Sequence, residues 1–547
     1  MLSKRRECFV LLVISFCVSM IAGFFLFYNL GHHSLWDDEA ICVLFGRSVW
    51  QTGDTSATLD HNIIAFNHGA ELDQLKMRYV PPLQFYVVAP FVGSSGTSTA
   101  AVRFPFAVCG FLTVMLLLRW LWKSSASLQM WVLMSVGLLG NVSFFLFARQ
   151  ARYYSLSMLL SLLLVYLYHY RDHRLRTLLS LALVAILLLS ANYLNFVALC
   201  VILLFDYFFW GRKEKVFHLK ELCFLLSVVA IIGGGIVCIH NPLGKNVWQA
   251  HASSHWFMDK TILLLWNFRE LNSCELGAGI LLLMAPLVYR WKKDVWILRG
   301  FIAICVYVVV TVLFSPQPLN LASVAFVRYL APLIPLCIFV AVLTIRAIGQ
   351  VNRRFVVPVA ILAFGTNLLH GGPFVGRDPL TDFSSIYPSG QLRSSIVLFV
   401  EELLRPPQST RRELVEWMSK NISAGDSIWV QPGYETYPLM YHAPQFIYAW
   451  QLLNKQGQFQ SLPDIHFKNQ DWPTYLVAFG PYRFQVEDAV KPHKTSSVHY
   501  DLIAQIDRYW YELNRPELIW HSFRDIVSFN REDQGVYIYK KREPLND

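Results

Sequence analysis

Residues 4–39 read KRRECFVLLVISFCVSMIAGFFLFYNLGHHSLWDDE. The apolar part, residues 8–30, is long enough for a helix that crosses a bilayer, which takes roughly 20 apolar residues. A secretory signal peptide is the alternative, but the run is long for one and ends without a clean small-residue cleavage site. The stretch predicts a retained membrane helix, followed closely by the carboxylates Asp37, Asp38 and Glu39.

The composition also indicates a membrane protein. Of the 547 residues, 55% are hydrophobic and only 15% are charged, which is too apolar for an ordinary soluble domain. The net charge of +10 comes from Lys and Arg residues that gather in short loops, as the positive-inside rule describes. These residues do not form a face for nucleic acid, so we expect no nucleic-acid partner. The ten cysteines show no metal-ligand spacing and lie mostly in apolar segments.

About eleven apolar stretches predict membrane-spanning helices. With the N-terminus in the cytoplasm, the basic loops between them fall on the cytoplasmic side, and an odd number of spans places the C-terminus outside. A shorter run at residues 81–92 predicts an interfacial or re-entrant helix on the outer side. The predicted spans are residues 8–30, 101–121, 127–147, 154–170, 177–191, 195–210, 220–240, 276–290, 295–314, 328–347 and 355–370.

The remaining residues form outer loops and a C-terminal region. Two long outer loops, residues 31–100 and about 241–275, are expected to contain ordered helices that lie on the membrane. Residues 1–370 form the predicted membrane domain. From residue 371 the chain is polar and helix and strand patterns alternate, which predicts an extracytoplasmic α/β domain over 371–547. Its predicted helices are residues 411–421 and about 501–513, and its predicted strands are 427–430, 475–479 and 535–539.

The acidic cluster Asp37, Asp38 and Glu39 is the first candidate for chemistry. Asp37 or Asp38 could simply be the N-cap of a helix that starts near Glu39. Carboxylates at the end of a membrane helix are costly, however, unless they face water or partners. A helix N-terminus favours their charged form, and such a carboxylate can accept a proton from an attacking hydroxyl group.

Arginines on the outer side break the positive-inside pattern and are the second group of candidates. Arg149 and Arg152 lie in the predicted hairpin between the third and fourth spans, and Arg328 begins a later span. Arginine suits forked contacts with phosphate oxygens. Because all three arginines lie on the outer side of the membrane, they indicate a site for a lipid phosphate. Snorkelling or the capping of backbone carbonyls is the alternative. Arg103, at the start of the second span, is a further candidate.

Histidine groups give little indication of a metal site. His251 and His255 have helical spacing, but no acidic residue lies between them. His68, Glu71 and Asp73 form a comparable group in the first outer loop. Surface polar residues are the simpler interpretation of both groups. A divalent metal stays open, and no cofactor is predicted with certainty.

With these residues the chain resembles the GT-C glycosyltransferases of the protein O-mannosyltransferase and aminoarabinose-transferase superfamily. The resemblance covers most of the chain and rests on the order of several pieces. These are Asp38-Glu39, Pro81-Pro82-Leu83 with Arg103-Phe104-Pro105 after it, Arg149-Gln150-Ala151-Arg152-Tyr153-Tyr154, Arg328-Tyr329-Leu330-Ala331-Pro332, and a helix that leads through Gly425-Asp426 into a strand.

The resemblance implies transfer of a sugar from a polyprenyl-phosphate donor to an acceptor lipid, glycan or protein outside the cytoplasm, with inversion at the anomeric carbon. It gives Asp38 the role of general base, while Glu39 positions Asp38 or the acceptor. Arginines stabilise the lipid phosphate that leaves. The candidates for this are Arg149, Arg152, Arg328 and Arg103, and further site candidates are Asp37, Glu71, Asp73, Tyr153 and Tyr329.

The chain departs from the aminoarabinose transferases just before the interfacial helix. Those enzymes have Glu-Lys-Pro there, whereas this chain has Arg78-Tyr79-Val80-Pro81. The missing glutamate argues against aminoarabinose transfer and against a metal site tied to that residue. Glu71 or Asp73 are the possible substitutes.

Two other classes of function remain as alternatives. A transporter or flippase of lipid-linked glycans would show inverted repeats and charged residues near the middle of the membrane, and the sequence shows neither. A non-catalytic envelope scaffold would use residues 371–547 as its binding module. The absence of cysteines after residue 371 favours a bacterial envelope. We therefore expect an integral protein of the bacterial inner membrane, surrounded by lipid, with a periplasmic C-terminal domain.

Overall fold

The computed structural model describes most of the chain. The chain divides into two compact units. The described residues are 2–214, 216–242, 255–273, 275–315, 325–370, 392, 394–406, 408–489, 498–507 and 535–542. The helical unit consists of the described residues up to 29 and within 106–406, and the mixed unit of those within 30–105, 407–507 and 535–542. The first outer loop and the C-terminal residues thus fall in the same compact unit. The predicted domain boundary after residue 370 remains a prediction.

Helices dominate the described chain. They are α1 (Leu2–Phe27), α2 (Asp37–Thr52), α3 (Leu83–Ser95), α4 (Thr99–Lys123), α5 (Leu128–Gly140), α6 (Val142–Ala148), α7 (Tyr153–His169), α8 (Leu175–Ala191), α9 (Tyr193–Asp206), α10 (Leu219–His240), α11 (Trp256–Ser273), α12 (Gly279–Lys292), α13 (Val295–Phe314), α14 (Ile334–Gly349), α15 (Val356–Phe364), α16 (Ser395–Leu404), α17 (Thr410–Asn421), α18 (Thr436–His442) and α19 (Arg483–Ala489). Each of the predicted spans overlaps at least one of them, and residues 127–147 overlap both α5 and α6. Helices α3 and α11 confirm that both outer loops contain helices, and their predicted position on the membrane stays a prediction.

Fewer helices than the sequence predicts are long and apolar enough to be membrane spans. Within the described residues, six helices are long and apolar enough to cross a membrane, or up to seven if the bent pair α5 and α6 is one span. The axis bends by 59° at Asn141, whose side chain accepts a hydrogen bond from Phe144 and so starts α6 anew. Helices α7 and α8 have only 17 residues each and α15 has nine. The predicted count of eleven spans is not confirmed.

Charged side chains also hold the helical unit together. Arg299 near the start of α13 donates to both oxygens of Asp206 at the end of α9, at 2.8 and 2.9 Å. It also contacts Glu214 at 2.8 Å, and the hydroxyl of Tyr168 donates to Asp206. Ion pairs with little exposure are stable only when such extra hydrogen bonds satisfy both partners. This group therefore fixes α9 against α13 without a net buried charge.

The described strands of the mixed unit are β1 (Thr58–Leu59), β2 (Asn62–Ile63), β3 (Leu72–Asp73), β4 (Lys76–Met77), β5 (Ser427–Gln431), β6 (Ile447–Tyr448), β7 (Tyr475–Phe479), β8 (Tyr500–Ile506) and β9 (Val536–Lys541). Five of them form one sheet with the order β6-β5-β7-β9-β8. Strands β6, β5 and β7 run parallel, whereas β9 is antiparallel to both β7 and β8. One face packs around Trp429, Trp450 and Leu476.

Most predicted elements of the C-terminal region are confirmed. Helix α17 ends before Gly425, whose φ of +87° allows the turn into β5, as the sequence predicted. The helix predicted at residues 501–513 is wrong over its first part, because Tyr500–Ile506 forms strand β8 against β9. Its Leu, Ile, Ala and Gln residues permit a helix, but cross-strand hydrogen bonds to a distant segment decide the structure. Residues 508–513 lie outside the described chain.

The first outer loop packs on the sheet within the mixed unit. The amide of Asn62 donates to the carbonyl of Phe446 at 2.9 Å and accepts from the backbone N–H of Tyr448 at 2.7 Å. These bonds tie β2 to β6. Helices α2 and α3 lie against each other so closely that a Cβ at Gly46 would collide with Val88. The loop is therefore a fixed platform for the carboxylates at the start of α2.

Candidate active site

The acidic cluster forms the first turn of α2. The helix begins at Asp37 and its N-cap is Trp36, so the expectation that Asp37 or Asp38 would be the N-cap is wrong. The backbone N–H of Trp36 instead donates to Oε2 of Glu39 at 3.4 Å. The unpaired N–H groups of a first helical turn favour negative charge. All three carboxylates of the cluster lie in the first turn of α2.

Glu39 and Arg103 form a forked ion pair within the mixed unit. Arg103 Nε lies 2.8 Å from Glu39 Oε1, and Nη2 lies 2.5 Å from Oε2. The remaining N–H groups of Arg103 donate to the carbonyls of Leu30, His33 and Ser34 at 2.8–3.2 Å. All five donors of the guanidinium are thus used inside the protein. These contacts support a positioning role for Arg103. They give no support to the predicted contact between Arg103 and phosphate.

The segment before α2 is held in place by the start of α17. Ser34 and Ser409 share a hydrogen bond of 2.9 Å between their hydroxyls, and Ser409 is the N-cap of α17. Nη2 of Arg412 donates to the carbonyls of Gly31 and His32. The C-terminal residues therefore fix the backbone that presents Asp37, and with it Asp38, which is 8% exposed.

Glu71 and Asp73, the possible substitutes for the missing family glutamate, have different surroundings. The hydroxyl of the buried Tyr437 in α18 lies within electrostatic range of both Glu71 and Asp37. Burial first, and then these two carboxylates, raise the pKa of Tyr437 well above its usual value. Asp73 is exposed on the β3–β4 hairpin, where it pairs with Lys76. Glu71, and not Asp73, thus joins Asp37 around one buried tyrosine.

Arg78, which stands in the segment where the family has Glu-Lys-Pro, is engaged by a carboxylate of the same loop. Its two terminal nitrogens lie 2.9 and 2.7 Å from the oxygens of Asp54. Lys76 reaches Asp54 as well, at 2.9 Å. The segment in which the chain differs from the aminoarabinose transferases it resembles thus has an ion-pair network of its own.

Four predicted residues come together in the helical unit. The hydroxyl of Tyr153, at the start of α7, lies within electrostatic range of Arg152, Arg328 and Tyr329. Each guanidinium also lies near the ring of the tyrosine that follows it, Arg152 at 5.5 Å from the Tyr153 centroid and Arg328 at 5.8 Å from that of Tyr329. Such a pair of arginines beside tyrosine hydroxyls can bind a dianionic phosphate. We call these four residues the arginine–tyrosine cluster.

Arg149 has a different environment. Nη1 donates to the carbonyls of Phe25 and Tyr28 at 2.8 and 2.9 Å, and Nη2 donates to that of Asn29 at 3.0 Å. Phe25 belongs to the last turn of α1, whose carbonyls have no partner within the helix, and Tyr28 and Asn29 follow the helix directly. The contacts match the carbonyl-capping alternative, and a phosphate role for Arg149 remains a prediction. The carboxylates belong to the mixed unit and the arginine–tyrosine cluster to the helical unit.

Metal-binding geometry occurs in a separate set of residues. Among the described residues, the His, Cys, Asp and Glu side chains that could hold a metal ion in a group of three are His173, His218 and Glu221, with ligand atoms within 4.8 Å of one another. Arg171 already donates to Glu221 at 2.7 Å there. His68 instead contacts the carbonyl of Gln451. Of the histidine pair in the second outer loop, His251 lies outside the described residues.

Comparison with solved structures decides the fold. ArnT from Cupriavidus metallidurans bound to undecaprenyl phosphate matches with a TM-score of 0.52 and 12% sequence identity, over 96% of this chain and 97% of that one. Its apo state matches with a TM-score of 0.53 and 12% identity, over 97% and 98%. The chain has the GT-C fold. The archaeal oligosaccharyltransferase AglB from Archaeoglobus fulgidus is more distant, with a TM-score of 0.43 and 9% identity over 87% and 70%.

At the level of sequence the relationship is remote. No family model and no curated protein sequence matches the chain. The GT-C fold and the long apolar helices together identify an integral membrane protein.

Sequence reasoning missed several partners of the GT-C site candidates. Tyr437 near Asp37 and Glu71, and Tyr307 beside Tyr329, belong to segments that carry no motif. A buried tyrosine in an apolar run looks like an ordinary core residue. Only the motif residues near them, Asp37 and Glu71 for Tyr437 and Tyr329 for Tyr307, could have been chosen from the sequence.

Proposed function

We propose that the protein is a glycosyltransferase that moves a sugar from a polyprenyl-phosphate donor to an acceptor on the extracytoplasmic side of the membrane. The GT-C fold carries the proposal, since ArnT with this fold was solved bound to undecaprenyl phosphate. Asp38 is the proposed base, as the resemblance implies, and the forked pair with Arg103 supports this choice because it engages both oxygens of the neighbouring Glu39. The acceptor is a lipid, a glycan or a protein.

The proposed reaction is a single displacement with inversion. A hydroxyl oxygen of the acceptor attacks the anomeric carbon as Asp38 takes its proton, and the bond from that carbon to the phosphate oxygen breaks. The leaving group is the polyprenyl phosphate. Arg152 and Arg328 of the arginine–tyrosine cluster stabilise the charge that builds up on it. Glu39 and Arg103 position the first turn of α2 and do not take part in the proton transfer.

The proposed reaction assigns no step to a divalent metal. Glu39 is already paired with Arg103, and the group of His173, His218 and Glu221 lies in a different set of loops. We also propose a bacterial inner-membrane location, with the N-terminus in the cytoplasm and the C-terminal residues in the periplasm.

The test is transfer by purified protein from a panel of radiolabelled polyprenyl-phosphate sugars, with membrane extract as the source of acceptors. Wild type should label an extract component, and Asp38→Asn should lower the rate by at least about a hundredfold while donor binding persists. Asp60→Asn is the matched control, because it removes one charge from an exposed residue of the same loop. Its φ of +55° also suits asparagine.

The outcomes separate the three classes of function. Label that moves only with wild type and Asp60→Asn supports the transferase. Donor that crosses the membrane of a vesicle without transfer would indicate a transporter or flippase. Binding without transfer or movement, unchanged in Asp38→Asn, would indicate a scaffold.

A further inference from the structure

An asparagine is completely buried among the apolar helices of the helical unit. Asn195 lies in the first turn of α9, and none of its surface is exposed. Its backbone N–H donates to the side chain of Asn192, the N-cap of the helix, at 3.0 Å. A polar side chain inside a membrane domain is costly, and such residues commonly mark a functional position.

Tyr307 connects Asn195 to the arginine–tyrosine cluster. The hydroxyl of Tyr307 lies 2.7 Å from Oδ1 of Asn195 and 3.2 Å from the carbonyl oxygen of Tyr329. Tyr329 follows Arg328 in the chain, and both lie within electrostatic range of the Tyr153 hydroxyl. A continuous set of contacts within one unit therefore leads from the asparagine to the candidate phosphate site.

One atom of the Asn195 amide has no hydrogen-bond partner among the described residues. Considering the described residues, its Nδ2 has no hydrogen-bond partner, although the side chain is fully enclosed. Flipping the side-chain amide, so that its oxygen and nitrogen change places, does not help, because Oδ1 would then be the atom without a hydrogen-bond partner. Buried polar atoms are nearly always paired. A hydroxyl group of a ligand could pair with either atom, since it both donates and accepts.

We propose that Asn195 and Tyr307 form a subsite that hydrogen-bonds a hydroxyl of the donor sugar, next to the cluster that binds the donor phosphate. The subsite rests on the proposed transferase function. A neutral amide suits an uncharged hydroxyl, whereas the charge of the phosphate suits Arg152 and Arg328. Asn195 is then a specificity-determining residue, because a site built to bind a hydroxyl rejects sugars that lack it.

The test compares two ligands on purified protein. One is the sugar-bearing polyprenyl phosphate that wild type transfers, and the other is polyprenyl phosphate without a sugar. Asn195→Leu should weaken binding of the first by about tenfold and leave binding of the second unchanged. An equal loss for both ligands would make Asn195 a phosphate ligand and overturn the sugar subsite. No loss for either ligand would also overturn it.

Two further variants serve as controls for this test. Asn195→Ser shortens the side chain without an apolar replacement, so it should show the same selective loss even if the leucine variant fails to fold. Thr113→Val is the matched control, because the buried Thr113 hydroxyl is satisfied by the carbonyl of Cys109 in its own helix at 2.9 Å. It should change the binding of neither ligand.

Failure of this proposal differs from failure of the proposed function. If wild type neither binds nor transfers any sugar-bearing donor, the transferase function is refuted and the subsite with it. If wild type transfers a sugar but both Asn195 variants keep its donor affinity, only the subsite is refuted.

Discussion

Arg103 and Glu39 form an ion pair that is almost fully enclosed in the mixed unit, with side chains 3% and 0% exposed. The two residues lie 64 positions apart in the chain, one in α4 and one in the first turn of α2. Enclosed charges are tolerated when each is paired and hydrogen-bonded, as both are here. The pair thereby fixes the direction in which α2 presents the neighbouring carboxylates.

Replacing Arg103 by Met should destabilise the mixed unit. Glu39 would stay buried without its partner, and the loss in the free energy of unfolding should be roughly 3–5 kcal/mol. Thermal unfolding of purified protein in detergent measures it. The double variant with Glu39→Gln should recover part of the loss, because the uncompensated charge is removed. An unchanged unfolding temperature for Arg103→Met would show that the pair does not hold α2.

The carboxyl of Asp54 should make the stability of the mixed unit depend on acid pH. Burial alone would raise the pKa of Asp54, but its hydrogen bonds to Arg78 and Lys76 outweigh burial and hold the pKa well below its usual range. The unfolded chain therefore binds a proton at higher pH than the folded one. The contribution of Asp54 is complete above about pH 5 and is lost as the pH falls toward the folded-state pKa.

The measurement for Asp54 is the unfolding temperature of wild type and Asp54→Asn between neutral and acid pH. The variant should be less stable at neutral pH and should lose less stability on acidification. Because Asp54 is partly exposed, added salt should reduce the difference between the two proteins. If the unfolding temperatures of both proteins fell in parallel as the pH is lowered, Asp54 would be excluded as a source of the acid sensitivity.

The membrane helices and several strands could be predicted from the sequence, because long apolar runs and short β-branched runs are local signals. Strand β8 could not, since its partner β9 begins 30 residues after β8 ends. The pairing of Glu39 with Arg103 is equally non-local. From the sequence Arg103 looked like a phosphate ligand, whereas its five donors are used by the protein itself.

The orientation in the membrane is a separate prediction. The basic loops predict that the C-terminal residues lie outside the cytoplasm. A reporter enzyme that is active only outside the cytoplasm should therefore be active when fused after residue 380. A reporter that is active only in the cytoplasm should be silent at the same site. The reverse pattern would contradict both the predicted topology and an extracytoplasmic transfer reaction.

Arg328 and Arg149 should respond differently to replacement by Lys. Lysine keeps the charge of Arg328 but loses forked contact with a phosphate, so the specificity constant kcat/KM for the donor should fall by about tenfold or more with little change in the unfolding temperature. Arg149 bonds carbonyls at and just after the end of α1, among them those of Phe25 and Asn29. Its replacement should lower the unfolding temperature while kcat/KM of the folded protein stays close to wild type. A fall in kcat/KM for Arg149→Lys at unchanged stability would instead establish the phosphate role that its contacts do not support.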